Sequence, residues 1–522
     1  MNAMSSGFDT PQDCILFNAG VITLDPERPS AELVAIKGNR IVGVGNKDDL
    51  LRFKGAGTKL IDCEGGTIIP GFNDAHCHPL AYASTLLYVD CSPAAATNIA
   101  EIQGRIRQRV KRTPKGKWIR AAHYDELGLF EKRPPNRWEL DEAAPVNPVI
   151  LVHRYGQDCV LNSLALQVAG ITRETPSPPA GTIYRDEETG EPNGRISGRN
   201  EHLERAIPPL DDNDLEEGVK LANREYLSLG ITSLQDTSWT NGLHHWQKLH
   251  RIIGRGSLSP RLSMLIGTES LEEFHNLGLS TGSGDDRLRL GGIKIALDES
   301  TGCHHPPQSA INHLALRALQ TGFQLAFHVS DIHMLQASLS AIGYVMRQIA
   351  GPGLRHRVEH CGVCPPGLLT PLKESGAIVV GQPSFLYFIG HKYLDEVSSE
   401  QMDYLFPIGS FQRRGIGVAF GSDSPVVPSN PLMGIYAAVT RKVEDGRSLS
   451  QHERISPLEA LKMYTVGGAH ASCEERVKGS ILPGKLADLV VLNDDPLEIA
   501  PEELRGLKVI RTIINGRIMW EL

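Results

Sequence analysis

Apolar positions fall along this chain in two styles. Near the start, LVAIKGNRIVGVG alternates around Gly38-Asn39, which signals a hairpin, and TKLIDCEGGTIIP continues the period of two. Near the end, LADLVVLN and VIRTIINGRIMWEL repeat the pattern, with Asn515-Gly516 as a type I′ turn. Each end carries too few strands to close a core, so the two are expected to share one small β-sandwich module, residues 1–67 with 479–522.

Between the ends the style changes to short, continuous apolar runs that finish on polar or ionisable residues. In order they are TIIPGFNDAHCH, ITSLQDT, RLSMLIG, IKIALDES, FQLAFHVS, HRVEHCG, AIVVGQPS and VAFGSDSP. Unbroken hydrophobicity suits parallel strands buried on both faces, and the count matches a (β/α)8 TIM barrel. The stretch DIHMLQASLSAIGYVMRQIA carries apolar residues at helical intervals, as the βα alternation requires. The fold class is therefore α/β, with a catalytic barrel over 68–80 and 210–478. Residues 81–209, rich in Pro and charge, break the rhythm and are expected to be an insertion after the first barrel strand.

Composition narrows the function class. At 522 residues, with 41% apolar and 22% charged positions, the chain is long enough for a large barrel with appended modules. A net charge of −8 and a pI near 6.2 argue against nucleic-acid or anionic-membrane partners. No apolar run reaches membrane-spanning length and the start lacks a signal-peptide pattern, so a cytoplasmic location is expected. Nine scattered cysteines do not form a secreted disulfide framework, and the isolated CxxC of Cys361 and Cys364 reads as a buried thiol pair.

The chemistry concentrates at strand ends. In Asn73-Asp74-Ala75-His76-Cys77-His78, residues two apart on an extended chain face the same side, so His76 and His78 can offer two imidazoles to one metal. Lys294, His328, His360 and Asp423 fall at the same relative place on the fourth, fifth, sixth and eighth runs. Each alone has a bland reading: a solvated lysine, satisfied core histidines, a helix N-cap in GSDSP. Together, at the end of a barrel where catalytic groups gather, they form a nitrogen and oxygen ligand set suited to zinc or a similar divalent ion.

These motifs, in this order, resemble the amidohydrolase superfamily, and more narrowly the branch that includes the N-substituted formamide deformylases. IIPGFNDAHCHP, NSLAL (Asn162 to Leu166), GITSLQD, RVEHC, QPSF, GSDSPVVPSNPL and GSILPGKLADLVVLNDDP carry the likeness from about Cys14 to Met519. The resemblance implies that His76, His78 and Asp423 bind one metal and that His328 and His360 bind a second. A carboxylated Lys294 would bridge them, since an ammonium has no lone pair to offer. Metal count differs among members, so one or two ions remain open. The chain departs from the expected pattern at Leu297-Asp298-Glu299-Ser300 and at Arg154-Tyr155-Gly156-Gln157.

The activity so implied is hydrolysis of a non-peptide C–N bond, an amide such as an N-formyl or N-acyl group, in a small molecule. Asp423 would act as general base and then acid, and Lys294 would assist as metal bridge. Two alternatives stand beside it: a heterocycle deaminase or cyclic amidase on the same metal core, and an inactive binding or regulatory relative. The expected partner is a small-molecule amide, with neither nucleic acid nor membrane; a homo-oligomer such as a dimer stays open. Phe385, Tyr387, Phe388, Cys303, His304 and His305 are candidates for lining the substrate pocket, with ordinary loop packing as the competing reading, and His123, Tyr124 and Asp125 for closing over it.

Overall fold

The computed structural model describes residues 13–154, 156, 158–178, 181–198, 203, 206–297, 306–349 and 355–522. They divide into two compact units. The first takes in the described residues up to Pro79, together with Ala222–Ala296 and Pro306–Leu522; the second is Leu80–Leu221 with Leu297.

The first unit holds an eight-stranded sheet whose neighbours are all parallel. In barrel order the strands are Phe72–Cys77, Ile231–Asp236, Arg261–Gly267, Leu288–Ile295, Leu325–Val329, Arg357–His360, Ile378–Gly381 and Val418–Phe420. Side chains such as Phe72, Leu234, Met264, Ile293, Phe327, Val358, Val380 and Phe420 are buried, as both faces of a barrel strand require. The first and eighth strands share no ladder, and the chain leaving the eighth closes the gap instead. Asp423 N–H donates to His76 O at 2.7 Å, and His78 N–H donates to Ser424 O at 2.9 Å. Only glycine fits at Gly421, because a Cβ there would collide with the His76 backbone. The expected helix after the fifth strand forms at Ile332–Gln348, capped by Asp331, which accepts from Met334 N–H at 2.8 Å.

Both chain ends meet in the same unit. A six-stranded sheet runs in the order Arg517–Glu521, Val509–Ile514, Leu489–Leu492, Thr67–Pro70, Gly20–Ile22, Ser30–Ala31. A four-stranded sheet runs Arg40–Gly45, Leu33–Lys37, Cys14–Phe17, Lys59–Asp62. Leu16, Val34, Ile36, Ile68, Leu489, Val491 and Ile513 form their shared core. The hairpin at Gly38-Asn39 is present, with Lys37 opposite Arg40. At the other end Asn515 and Gly516 have φ of 54° and 73°, the two positive angles of a type I′ turn. One run divides where the sequence suggests a single strand. Within TIIPGFNDAHCH, Thr67–Pro70 pairs with Leu489–Leu492, and only after Gly71 does Phe72–Cys77 enter the barrel.

The second unit is built on a six-stranded mixed sheet, ordered Gly181–Arg185, Pro192–Gly198, Asp158–Leu161, Val149–His153, Ile119–Tyr124, Val89–Asp90. Its faces feed two cores, one through Ile119, Ala121, Val149 and Leu151, the other through Ile150, Cys159, Leu161 and Ile196. Asn162 of the NSLAL motif is buried and structural. It accepts from Val149 N–H and Ala165 N–H at 2.9 Å each, and donates to Ala144 O and Asn147 O. Among the described residues no helix is long and apolar enough to cross a membrane.

Candidate metal centre

Strand alternation sends Asp74, His76 and His78 to one side of the first barrel strand. Asp74 is the clamp: its carboxylate accepts from Ser422 N–H at 2.8 Å and Ser422 O–H at 2.6 Å, drawing the turn that carries Asp423 onto the histidines. Burial pushes Asp74 up to about 7 against those hydrogen bonds.

The imidazoles are oriented from behind. His76 Nδ1 lies 2.7 Å from Glu359 Oε2, and a carboxylate can only accept, so Nδ1 carries the proton and Nε2 the lone pair. His78 Nδ1 lies 2.8 Å from Ser238 Oγ, whose own proton goes to Asp236 Oδ1 at 2.6 Å, so His78 has the same tautomer. His360 Nδ1 faces Gln382 Oε1 at 2.9 Å, and that amide is fixed by its NH2 donating to Val380 O at 3.1 Å.

With the Nδ1 atoms of His76, His78 and His360 satisfied outward, their Nε2 lone pairs face inward. Asp423 Oδ1 stands 2.9 Å from His78 Nε2 and 3.4 Å from His76 Nε2, while His360 Nε2 faces His328 Nδ1 at 3.2 Å. Donor atoms of His76, His360 and Asp423 all lie within 4.8 Å of one another. Acceptors packed this closely repel unless a cation sits among them, so the donor set suits a divalent ion. Lys294, 3% exposed at the end of the fourth strand, adds its charge to the cluster. Burial and the His328 and His76 rings hold His360 well below the usual imidazole range.

The structure thus brings His76, His78, His328, His360, Asp423 and Lys294 into one cluster. The partners Glu359, Arg357, Gln382, Ser238 and Asp236 did not emerge from the sequence, although Arg357 and Glu359 stand two apart on a strand that ends in a candidate ligand. Phe385 is 9% exposed in an apolar cluster with Phe406, Val427 and Val443, so it is core; Tyr387 and Phe388 are half-buried beside it. Cys303, His304, His305, Tyr155, Gln157 and Asp298 to Ser300 lie outside the described residues. His123, Tyr124 and Asp125 belong to the second unit, where Asp125 pairs with Arg154 at 2.8 Å and Glu126 with His153 at 3.0 Å.

A parallel eight-stranded barrel with nitrogen and oxygen donors at one end of its strands is an arrangement that fits a metal-dependent hydrolase. A sequence model of the amidohydrolase family matches residues 59–520, and the chain belongs to that family. Its activity is hydrolysis at carbon–nitrogen bonds. It is 30% identical to the N-substituted formamide deformylase of Arthrobacter pascens, over 98% of each chain. It is 27% identical to the putative amidohydrolase YtcJ of Bacillus subtilis, over 96% of this chain and 98% of that one. Among solved structures, an uncharacterized metal-dependent hydrolase from Pyrococcus furiosus superposes with a TM-score of 0.75 at 23% identity, covering 93% of this chain and all of that one.

Proposed function

We propose that this enzyme hydrolyses the amide bond of a small N-substituted formamide or related N-acyl compound. The observation that carries the reading is the inward convergence of His76 Nε2, His78 Nε2 and Asp423 Oδ1, each imidazole tied from behind by an acceptor. His76, His78 and Asp423 would hold one zinc or similar divalent ion. His328 and His360 would hold a second, with Lys294, as its carboxylated form, between them. Such an ion supplies a water of lowered pKa and polarises the substrate carbonyl.

The residues do the rest. Asp423 orients the attacking water and takes its proton, a role suited to a carboxylate held against the histidines by its backbone N–H on His76 O. It then hands that proton to the departing nitrogen, which an amide needs because an amide anion is a very poor leaving group. Asp74 and Ser422 keep Asp423 in place through both steps. The test is a screen of N-formyl, N-acyl and cyclic amides with zinc or manganese present, scored for both the carboxylic acid and the amine. Formate or carboxylate released together with amine supports the reading. Ammonia released from an aminated ring without carboxylate would replace it with a deaminase.

A further inference from the structure

Behind the donor cluster lies a buried ion pair that metal binding as proposed above does not by itself require. Arg357 is 1% exposed and Glu359 fully buried, both on the sixth strand. Arg357 Nε donates to Glu359 Oε1 at 2.7 Å, and Nη2 donates to Oε2 at 3.1 Å. The same Oε2 takes the His76 Nδ1–H at 2.7 Å, so one carboxylate oxygen is shared between guanidinium and imidazole. Arg357 also grips the backbone next to that imidazole, donating from Nη2 to Ala75 O at 2.7 Å. From Nη1 it donates to Gln235 Oε1 at 2.5 Å. Gln235 in turn donates to Asn73 Oδ1 at 3.1 Å and Gly468 O at 2.7 Å. The chain of contacts thus runs from the sixth strand across the barrel interior to the first and second.

A buried ion pair is a poor device for stability, because its desolvation cost offsets much of the attraction and apolar residues of similar volume often do as well. A pair whose carboxylate is shared with a histidine, and whose cation also holds that histidine's neighbour, has a different use. We propose that Glu359 and Arg357 are positioning residues for metal binding. Glu359 fixes the tautomer and ring plane of His76 and strengthens Nε2 as a donor, while Arg357 locks the carboxylate against the first strand. The proposal rests on the reading of His76 as a metal ligand. Glu359 touches no reacting atom, so its effect reaches the reaction only through His76.

The experiment measures zinc affinity of the full chain by competition with a chromophoric chelator, for the parent and for Glu359→Gln, Glu359→Leu and Arg357→Lys. The visible spectrum of each cobalt-loaded protein is recorded alongside. Gln still accepts from Nδ1 but is neutral, and Leu accepts nothing, so affinity should fall in the order parent, Gln, Leu. The losses should reach roughly tenfold to a hundredfold, the usual range for such outer partners, and the cobalt bands should shift with them. A merely structural role would lower the thermal stability of the metal-free protein and leave the zinc affinity and cobalt spectrum of the folded fraction unchanged; that result overturns the proposal. If Glu359→Leu does not fold, Glu359→Gln decides alone. A parent that binds no stoichiometric zinc would sink the metal-site reading itself, and this proposal with it. A parent that binds zinc but turns over no amide would sink only the proposed activity.

Discussion

Removing Asp488 should be among the more damaging single changes that leave the candidate metal centre untouched. Asp488, just before the strand Leu489–Leu492, is 6% exposed, and Arg261, which opens the third barrel strand, is 2% exposed. The guanidinium makes two bonds to this carboxylate, Nε to Oδ2 at 2.6 Å and Nη2 to Oδ1 at 3.0 Å, and two more to Asn515 Oδ1 and Asp286 O. Asp488→Ala deletes half of the four bonds and the only carboxylate among these partners, and strips the Asn515 N–H of its acceptor. Breaking one side of a buried pair costs about 3–5 kcal/mol, because the other charge stays buried without compensation. Taking about 4 kcal/mol and about 2 °C per kcal/mol for a large unit, Tm should drop by roughly 8 °C. Asp488→Asn keeps one acceptor and should lose about half as much. Arg261→Met with Asp488→Leu removes both charges and should recover most of the loss. The assay is thermal and urea unfolding of all four proteins, with kcat measured below the transition, where it should be unchanged. A loss under 1 kcal/mol for Asp488→Ala, or a double variant worse than either single, would refute the reasoning.

Four further outcomes are expected. Asp423→Asn should keep part of the metal while amide turnover falls on the order of a hundredfold or more; activated esters should suffer less, and equal losses at unchanged metal content would remove Asp423 from the leaving-group step. Lys294→Ala should lose metal and regain some on adding millimolar short-chain carboxylic acids, as a carboxylated bridge requires; metal content that stays at the parent level would exclude the bridge. Burial holds His356 down to about 4, so the folded state keeps it neutral while the unfolded chain takes up a proton below about 6.5. Stability is therefore lost as pH falls from about 6.5 towards 4, by about 2 kcal/mol at pH 5, and His356→Gln should flatten the fall in Tm over that window; an unchanged slope counts against it. Deleting residues 479–522 strips three strands from Thr67–Pro70 and should yield insoluble protein, whereas a soluble, active truncation would show that the two ends do not depend on each other.

Much of the architecture was legible because the rules that carry it are local. Continuous apolar runs ending in ionisable residues mark buried parallel strands, and the first pair of donors in the cluster, His76 and His78, follows from simple alternation on one of them. The division of TIIPGFNDAHCH was not legible, because Thr67–Pro70 and Phe72–Cys77 look alike until their partners are known, and Leu489–Leu492 is some four hundred residues away. The second unit hid its sheet for a related reason. Val149 and Leu151 enter one core and Ile150 the other, so the strand shows no alternation, and its parallel partner Ile119–Tyr124 is separated from it by a helix. Asn162 stood out as part of a motif, yet the signal could not distinguish a hydrogen-bonding hub from a substrate contact.

The partners behind the donor cluster were hidden by a departure from regular strand geometry, and that departure explains how the cluster is assembled. Successive residues of a strand point to opposite faces, so Glu359 and His360 should not serve the same site. Both do: Glu359 binds His76 Nδ1, and the His360 ring lies 4.6 Å from the His76 ring between centroids. The conflict is resolved at the strand end, where His360 has φ of 69° and Cys361 of 51°, angles that turn the backbone and swing the imidazole back towards its neighbour. Asp423 does the same after the eighth strand, with φ of 59°. Left-handed angles at residues other than glycine cost of order 1–3 kcal/mol and persist where surrounding contacts fix them. Here those contacts are the Asp423 N–H on His76 O and the Cys361 N–H on Val329 O. His76 is therefore approached by two consecutive residues of one strand and by the turn that leaves another, an arrangement regular alternation would forbid.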